Sequence, residues 1–208
     1  MENGSQQQQK MSRRTRKIAF AGMFAAIAAV LMFLEFPLPF TPPFYKLDFS
    51  EIPVLLGTFS LGPVAGVVIE FLKILVKTLI KGTSTAFVGE LANFIIGCAF
   101  VLPAGLIYKA RKTRNGAILG LTVGVLVMTI MGCFINAFVL LPVYAAAFHM
   151  PIEELVKMGT AVNGNVNNLF TFVMLCVAPF NLIKGVVVSV LTFLIYKRVS
   201  RLVKGLGS

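Results

Sequence analysis

Chemistry in this chain would have to come from a few polar side chains embedded in long apolar runs. Glu70, Lys73 and Lys77 stand at i, i+3 and i+7, which on a helix is one face. Glu90 and Asn93 lie three apart, Asn136 stands alone, and Asn181 and Lys184 again lie three apart. An ionisable group in hydrocarbon costs roughly 3 kcal/mol on insertion scales, so such groups face a cavity or a partner. An Asn amide offers both donors and an acceptor, and a Lys ammonium offers three donors. Together they could grip a small organic molecule with a polar edge, or they could tie helices to one another. For Glu70 the sequence supplies Lys73 one turn away, which favours a simple ion pair. Lys184 has no acidic residue within a turn, and an unpaired buried ammonium needs an acceptor, which favours contact with a ligand. Asn136 and Asn181 are balanced between the two roles.

Other chemistries are excluded by what is missing. No G-x-x-x-x-G-K-[ST] loop occurs, so nucleotide hydrolysis by that route is closed. Asp48 is the single aspartate, which rules out an aspartic dyad, and His149 is the single histidine, which rules out His-rich metal sites. No G-x-S-x-G elbow is present. Cys98, Cys133 and Cys176 lie in apolar runs without paired spacing and read as packing residues. No catalytic residue, metal ligand or cofactor is assigned. The chain is not expected to be an enzyme, and His149 reads as an interfacial side chain.

The elements that must position these groups follow from composition. Hydrophobic residues make up 57% of 208 and charged residues 13%, with mean hydropathy +0.87. Soluble domains carry about 45–50% and about 25% respectively, so the expected solvent is a lipid bilayer. Residues 1–17 are polar and read as a disordered basic cytoplasmic tail. Residues 18–208 read as one all-α integral membrane domain with six transmembrane helices. The apolar runs are 18–34, 52–61, 64–80, 87–108, 117–148 and 169–196. Run 52–61 is half the length a bilayer requires and must recruit neighbours such as Phe49 or be shielded by protein. Gly62-Pro63 separates it from the third run. Pro142 is expected to end or kink the fifth run, and Pro179 lies inside the sixth. Residues 149–168 read as a polar loop.

The net charge of +11 is blocked. Residues 1–17, 109–114 and 197–204 each carry a net +4, and the remainder carries −1. Each block flanks an apolar run, which is the positive-inside pattern and not the spread basic surface of a nucleic-acid binder. Six crossings place all three blocks and both termini in the cytoplasm. The loop after the first helix, which carries Pro37, Pro39, Pro42 and Pro43, then falls outside the cell. On this topology Asn93 and Asn136 lie in the outer half, Lys77 near the outer end and Lys184 near mid-membrane. The inner halves are almost purely apolar. That asymmetry argues for an outward-facing pocket and against a continuous aqueous pore. Ala21, Ala25 and Ala29, with Gly22 and Ala26 beside them, form a flat stripe on which another helix could approach closely, inside the bundle or from a partner.

Taken together, these residues resemble the substrate-binding S components of energy-coupling factor (ECF) vitamin transporters, and within them the riboflavin-specific branch. The resemblance rests on the Ala21-Ala25-Ala29 stripe, FPLPFTPPFYKLDFSEIP (36–53), FSLGPVAG (59–66), GELANF (89–94), NAFVLLPVY (136–144) and PFNLIKG (179–185). It covers nearly the whole chain from residue 18, and the order and spacing of the motifs carry it. The resemblance implies capture of riboflavin, with FMN an open extension, from outside a bacterial plasma membrane. It implies partners in one transmembrane coupling protein and two cytoplasmic ATPases. It implies docking through Ala21, Ala25 and Ala29, and a lid over the ligand in the segment 44–48, with ligand contacts from Tyr45, Lys46, Leu47 and Asp48. It implies ligand contacts from Asn136, Asn181 and Lys184, with Asn93 and Glu90 added from the neighbourhood of their motif. Three readings stay open beside it. They are the same fold with thiamine, biotin, folate or a pyridoxine-like cargo, a solitary secondary transporter using Glu70 as a proton site, and a membrane scaffold without a ligand.

Overall fold

The computed structural model describes residues 2–39, 41–42, 44–83, 87–147 and 149–205, with side chains described from residue 14 to residue 199. The ends of two expected segments, Thr85 and Phe148, lie outside the described residues. The chain is almost wholly helical. Helix α1 (Glu2–Phe33) is followed by a short hairpin of β1 (Phe36–Pro37) and β2 (Lys46–Leu47), then α2 (Glu51–Leu61), α3 (Pro63–Lys81), α4 (Val88–Ala110) and α5 (Arg114–Ile135). A π-helical turn (Asn136–Leu140) joins α5 to α6 (Leu141–Ala147). Helix α7 (Ile152–Val162) and the single turn α8 (Leu169–Phe172) follow. A second π-helical turn (Val173–Val177) leads into α9 (Ala178–Gly205).

Among the described residues, four helical stretches are long and apolar enough to cross a membrane: Arg14–Phe33, Val88–Ala110, Arg114–Ala147 and Leu169–Val199. Helix α2 rises only about 16 Å, half a hydrocarbon core. It is nonetheless deeply buried, packed against α1, α3, α4 and α9. Shielding by protein, and not extra length, is therefore what lets so short an apolar helix persist. The turn before α3 is built as Gly62-Pro63 predicts, with Gly62 at φ 109° and Pro63 at the first helical position, where its missing N–H is no loss.

Two expectations are corrected. Residues 2–17 continue α1 and are not a disordered tail, because a Gln-, Lys- and Arg-rich stretch without proline propagates a helix already nucleated by its apolar half. Residues 149–168 are not simply loop. Ile152, Leu155, Val156 and Gly159 recur at i, i+3, i+4 and i+7, and α7 buries Leu155, Val156 and Gly159. The helix runs on past Pro142, and Pro179 lies inside the last helical stretch as expected. In both places a π-helical turn precedes the proline, with Leu141 N–H donating to the Asn136 carbonyl and Ala178 N–H to the Val173 carbonyl. The widened turn relieves the clash a proline ring makes with the carbonyl four residues back.

The core has two main lobes and a small third cluster of Ala92, Ile135 and Leu140. One joins Phe24, Leu55, Phe59, Phe100, Leu121, Val125, Val188 and Tyr196 across α1, α2, α4, α5 and α9. The other joins Tyr45 and Leu47 of the hairpin to Leu141, Leu155, Phe172 and Cys176. Helices α4 and α5 meet most closely, through Gly120 and Gly124. A Cβ at Gly124 would lie 2.7 Å from the Phe100 carbonyl oxygen, so only glycine allows this approach. Gly124→Ala is expected to cost about 1–3 kcal/mol, seen as a lower melting temperature in detergent. Gly22→Ala, where nothing lies within 4 Å of the added methyl, should leave it unchanged or raise it. Equal melting of the two variants would show that the helices do not pack at this distance.

Candidate functional site

The hairpin closes one end of the bundle, and beneath it lies a cavity of about 870 Å³. Tyr45, Lys46 and Asp48 of the lid, Glu90 and Asn93 of α4, Asn136 of the first π turn, and Asn181 and Lys184 of α9 all line it. Eight of the nine residues expected to contact a ligand therefore face one space. Leu47 is the exception. In a strand, alternate side chains point to opposite faces, and Leu47 points into the second core lobe while Lys46 and Asp48 flank the cavity.

The two asparagines are held alike. Asn136 Nδ2 donates to the Gly132 carbonyl at 2.7 Å, and Asn181 Nδ2 donates to the Val177 carbonyl at 2.9 Å. Each bond joins an amide to the carbonyl four residues back along a helix that carries a π turn. It fixes the amide and leaves its second N–H free by valence. Asn181 fits because residue 132 has no side chain: a Cβ there would lie 2.9 Å from Asn181 Nδ2. Tyr45 Oη donates to Asn136 Oδ1 at 2.6 Å and so fastens the lid to the membrane segment 91 residues away. Burial pushes the Tyr45 phenol well above its ordinary value, so it stays a donor. Phe44, Phe172 and Phe180 surround that ring, with Phe180 at 5.4 Å between centroids.

Lys184 is not the unpaired ammonium that its own helix suggested. Its Nζ lies 2.9 Å from Asp48 Oδ2 of the lid, and Asp48 Oδ1 accepts from the Ser50 backbone N–H at 2.8 Å. Burial alone would raise the Asp48 carboxyl. The charges of Lys184 and Lys73, with the hydrogen bonds from Ser50 and Lys184, outweigh it and hold Asp48 well below the usual carboxylate range. Glu70 and Lys73 pair at 2.7 Å as their spacing suggested, and Glu51 joins Lys73 at 2.7 Å. Glu90 accepts from the Thr83 hydroxyl at 2.9 Å.

Several lining residues were not singled out from the sequence. Glu35 gathers Lys46, Lys77 and Lys81 at 3.1, 3.7 and 2.7 Å. Burial opposes ionisation of Glu35, but hydrogen bonds from Lys81 and Lys46 and the charge of Lys77 hold its carboxyl below the ordinary value. Glu51 lines the cavity floor, and Met128, Leu155, Met158 and Tyr144 contribute apolar and aromatic wall. The periodicity of residues 152–159 was the signal that could have found the α7 contribution.

The docking stripe is corrected. Ala25 and Ala29 are 3% and 2% exposed, turned into the core against α2 and α3, and Ala21 is half-buried. Gly22 and Ala26, one residue further round the helix, are exposed. The cause is the 100° step per residue, which puts Phe24, Ala25 and Ala28 in one inward sector and leaves Gly22 and Ala26 outside.

Asp48→Asn leaves the Lys184 ammonium buried without an anion, and is expected to cost about 3–5 kcal/mol. Because the folded carboxyl is depressed, the pair stabilises above the ordinary aspartate range and is lost only as pH falls through the lower folded value. The melting advantage of the native chain over Asp48→Asn should therefore hold from about pH 7 to about pH 4. An advantage that vanished across that window would remove the ion pair from the account.

The chain from residue 16 to residue 196 matches the family model for the ECF transporter, substrate-specific component. It is 38% identical over 192 residues to the riboflavin transporter RibU of Staphylococcus aureus (strain TCH60), covering 92% of this chain and 94% of that one. It is 34% identical to the riboflavin transporter FmnP of Bacillus subtilis (strain 168), covering 88% and 91%. A solved structure described as the S component of a bacterial ECF transporter superimposes with a TM-score of 0.72 at 37% identity, covering 92% of this chain and 99% of that one. The chain belongs to the substrate-specific components of ECF transporters.

Proposed function

We propose that this chain captures riboflavin outside the cell and passes it inward as the S subunit of an ATP-driven importer. The observation that carries the reading is that one cavity beneath the lid unites Asn136, Asn181, Asp48 and Lys184 with aromatic and methionine walls. Its volume lies in the range of small-molecule sites, about 300–1,000 Å³. Riboflavin is a flat aromatic plate with a uracil-like edge and a hydroxylated chain. The plate suits Phe44, Tyr144, Phe180 and Met128. The edge suits amides that can both donate and accept, which Asn136 and Asn181 present in fixed orientation. The hydroxyls suit the Asp48–Lys184 pair. The names of the S. aureus and B. subtilis relatives support the same cargo.

In this reading α2 and α3 complete six crossings, both termini are cytoplasmic and the hairpin lid is extracellular, as the three basic blocks require. The chain resides in the bacterial plasma membrane. It has no phosphate-binding loop of its own, so energy comes from two ATPase subunits through a transmembrane coupling protein. The coupling protein docks on the exposed side of α1 at Gly22 and Ala26, where small residues let a foreign helix approach.

Titration of riboflavin into the purified protein should quench flavin fluorescence at one site per chain. Asn181→Ala and Lys184→Met should each weaken that binding at least about tenfold, the equivalent of one lost hydrogen bond to a fixed or charged group. Saturable binding of a different vitamin with no flavin binding would replace the cargo. Uptake that persisted without ATPase partners and collapsed with the proton gradient would replace the mechanism. Ala26→Phe should reduce co-purification with the coupling protein while leaving flavin affinity unchanged; lost flavin affinity with intact assembly would reverse that assignment.

A further inference from the structure

Below the cavity floor, two carboxyls converge on one ammonium. Lys73 Nζ lies 2.7 Å from Glu51 Oε1 and 2.7 Å from Glu70 Oε1, and Lys73 and Glu70 are fully buried, with Glu51 3% exposed. The groups facing this cluster are Asp48 of the lid, Lys184 of α9 and the Cys98 thiol on α4. Asp48 and Lys184 cancel each other as an ion pair. Two ionised glutamates against Lys73 would leave one uncompensated negative charge sealed inside the bundle. The hydrogen-bond pattern points the same way. Glu51 Oε2 and Glu70 Oε2, the carboxyl oxygens turned away from Lys73, are shut off from water and accept no hydrogen bond. The Glu70 carboxyl presses against Gly97, where any Cβ would overlap it, so it has no room to turn toward another donor. A buried carboxylate oxygen without a donor costs several kcal/mol.

A metal ion does not resolve the imbalance. The four oxygens of two carboxylates beside an ammonium are too few for a hard cation that takes six to eight oxygen ligands, and no metal-holding group of residues occurs among the described residues. A proton resolves both problems at once, since it cancels the surplus charge and gives one orphaned oxygen a donor.

We propose that Glu51 and Glu70 share a single bound proton, so that the Glu51–Lys73–Glu70 cluster is electrically neutral beneath the cavity. The proton makes the first turn of α2, which directly follows the lid, adhere to α3 without presenting a buried charge to the cargo. It is a resident proton of the fold and is not carried across the membrane by this cluster.

The test is infrared spectroscopy of the ligand-free protein at neutral pH, which keeps it independent of the flavin reading. The chain has only eight Asp and Glu residues, so one protonated side-chain carboxyl is resolvable. The native chain should show a carboxylic-acid carbonyl band that shifts in deuterium oxide. Glu51→Gln and Glu70→Gln should each abolish it, because either leaves one carboxylate paired one-to-one with Lys73, while Glu90→Gln should retain it. A native chain without the band overturns the proposal even if a variant fails to fold. A band that survives either Glu51→Gln or Glu70→Gln, or is lost in Glu90→Gln, overturns it as well.

Discussion

The ion pair between Asp48 and Lys184 is the contact on which the cavity end of the molecule depends. A hairpin with only two residues in each strand has almost no stability of its own. It is held over the cavity because a lid carboxylate meets an ammonium deep in α9, and because Tyr45 reaches Asn136. In water such contacts are weak. Inside the bundle neither partner has another way to satisfy its charge or its hydrogen bond, so breaking the pair costs far more than the pair would contribute at a surface. The same scarcity governs Lys73, Glu51 and Glu70. Each polar group placed in hydrocarbon has to find its complement on a different segment, and these matches draw the helices around a common hollow.

The two π-helical turns perform a second task. Each lies just before a proline that would otherwise interrupt a long helix, and each adjoins one of the two cavity asparagines. The inserted residue changes which face of the following helix looks inward. The carbonyls of Gly132 and Val177 hold the two amides. A single local device thus keeps the helix continuous past proline and aims a hydrogen-bonding group at the cavity. The other lobe is packed through Phe59, Tyr108 and Tyr196, and the buried Thr58 next to Phe59 spends its hydroxyl on its own helix, donating to the Val54 carbonyl at 2.7 Å. That arrangement suits a binding chamber open at one end, and not a channel.

Much of this was legible in the chain itself. Composition required a lipid solvent, and the Gly62-Pro63 break, the irregular proline-rich segment and the Glu70–Lys73 pair follow from spacing within a few residues. The polar residues embedded in apolar runs picked out most of the cavity lining, because a buried amide or ammonium is costly wherever it stands. The errors share one cause. Lys184 appeared unpaired because its partner lies 136 residues earlier. Leu47 was grouped with the lid contacts although strand alternation turns it into the core, and of the two roles that spacing left open for Ala25 and Ala29, burial selects packing inside the bundle.

Sequence alone therefore determined the solvent, the helical character, the placement of the basic blocks and the small set of residues able to bind anything. These are properties of composition and short-range periodicity, and they require no knowledge of neighbours in space. Tertiary structure alone decided which carboxylate meets which lysine, which face of α1 is covered, and that Glu51 completes a three-group cluster. Those outcomes depend on helix rotation and register, where one residue turns a side chain by about 100°, and no pattern within a single segment specifies them.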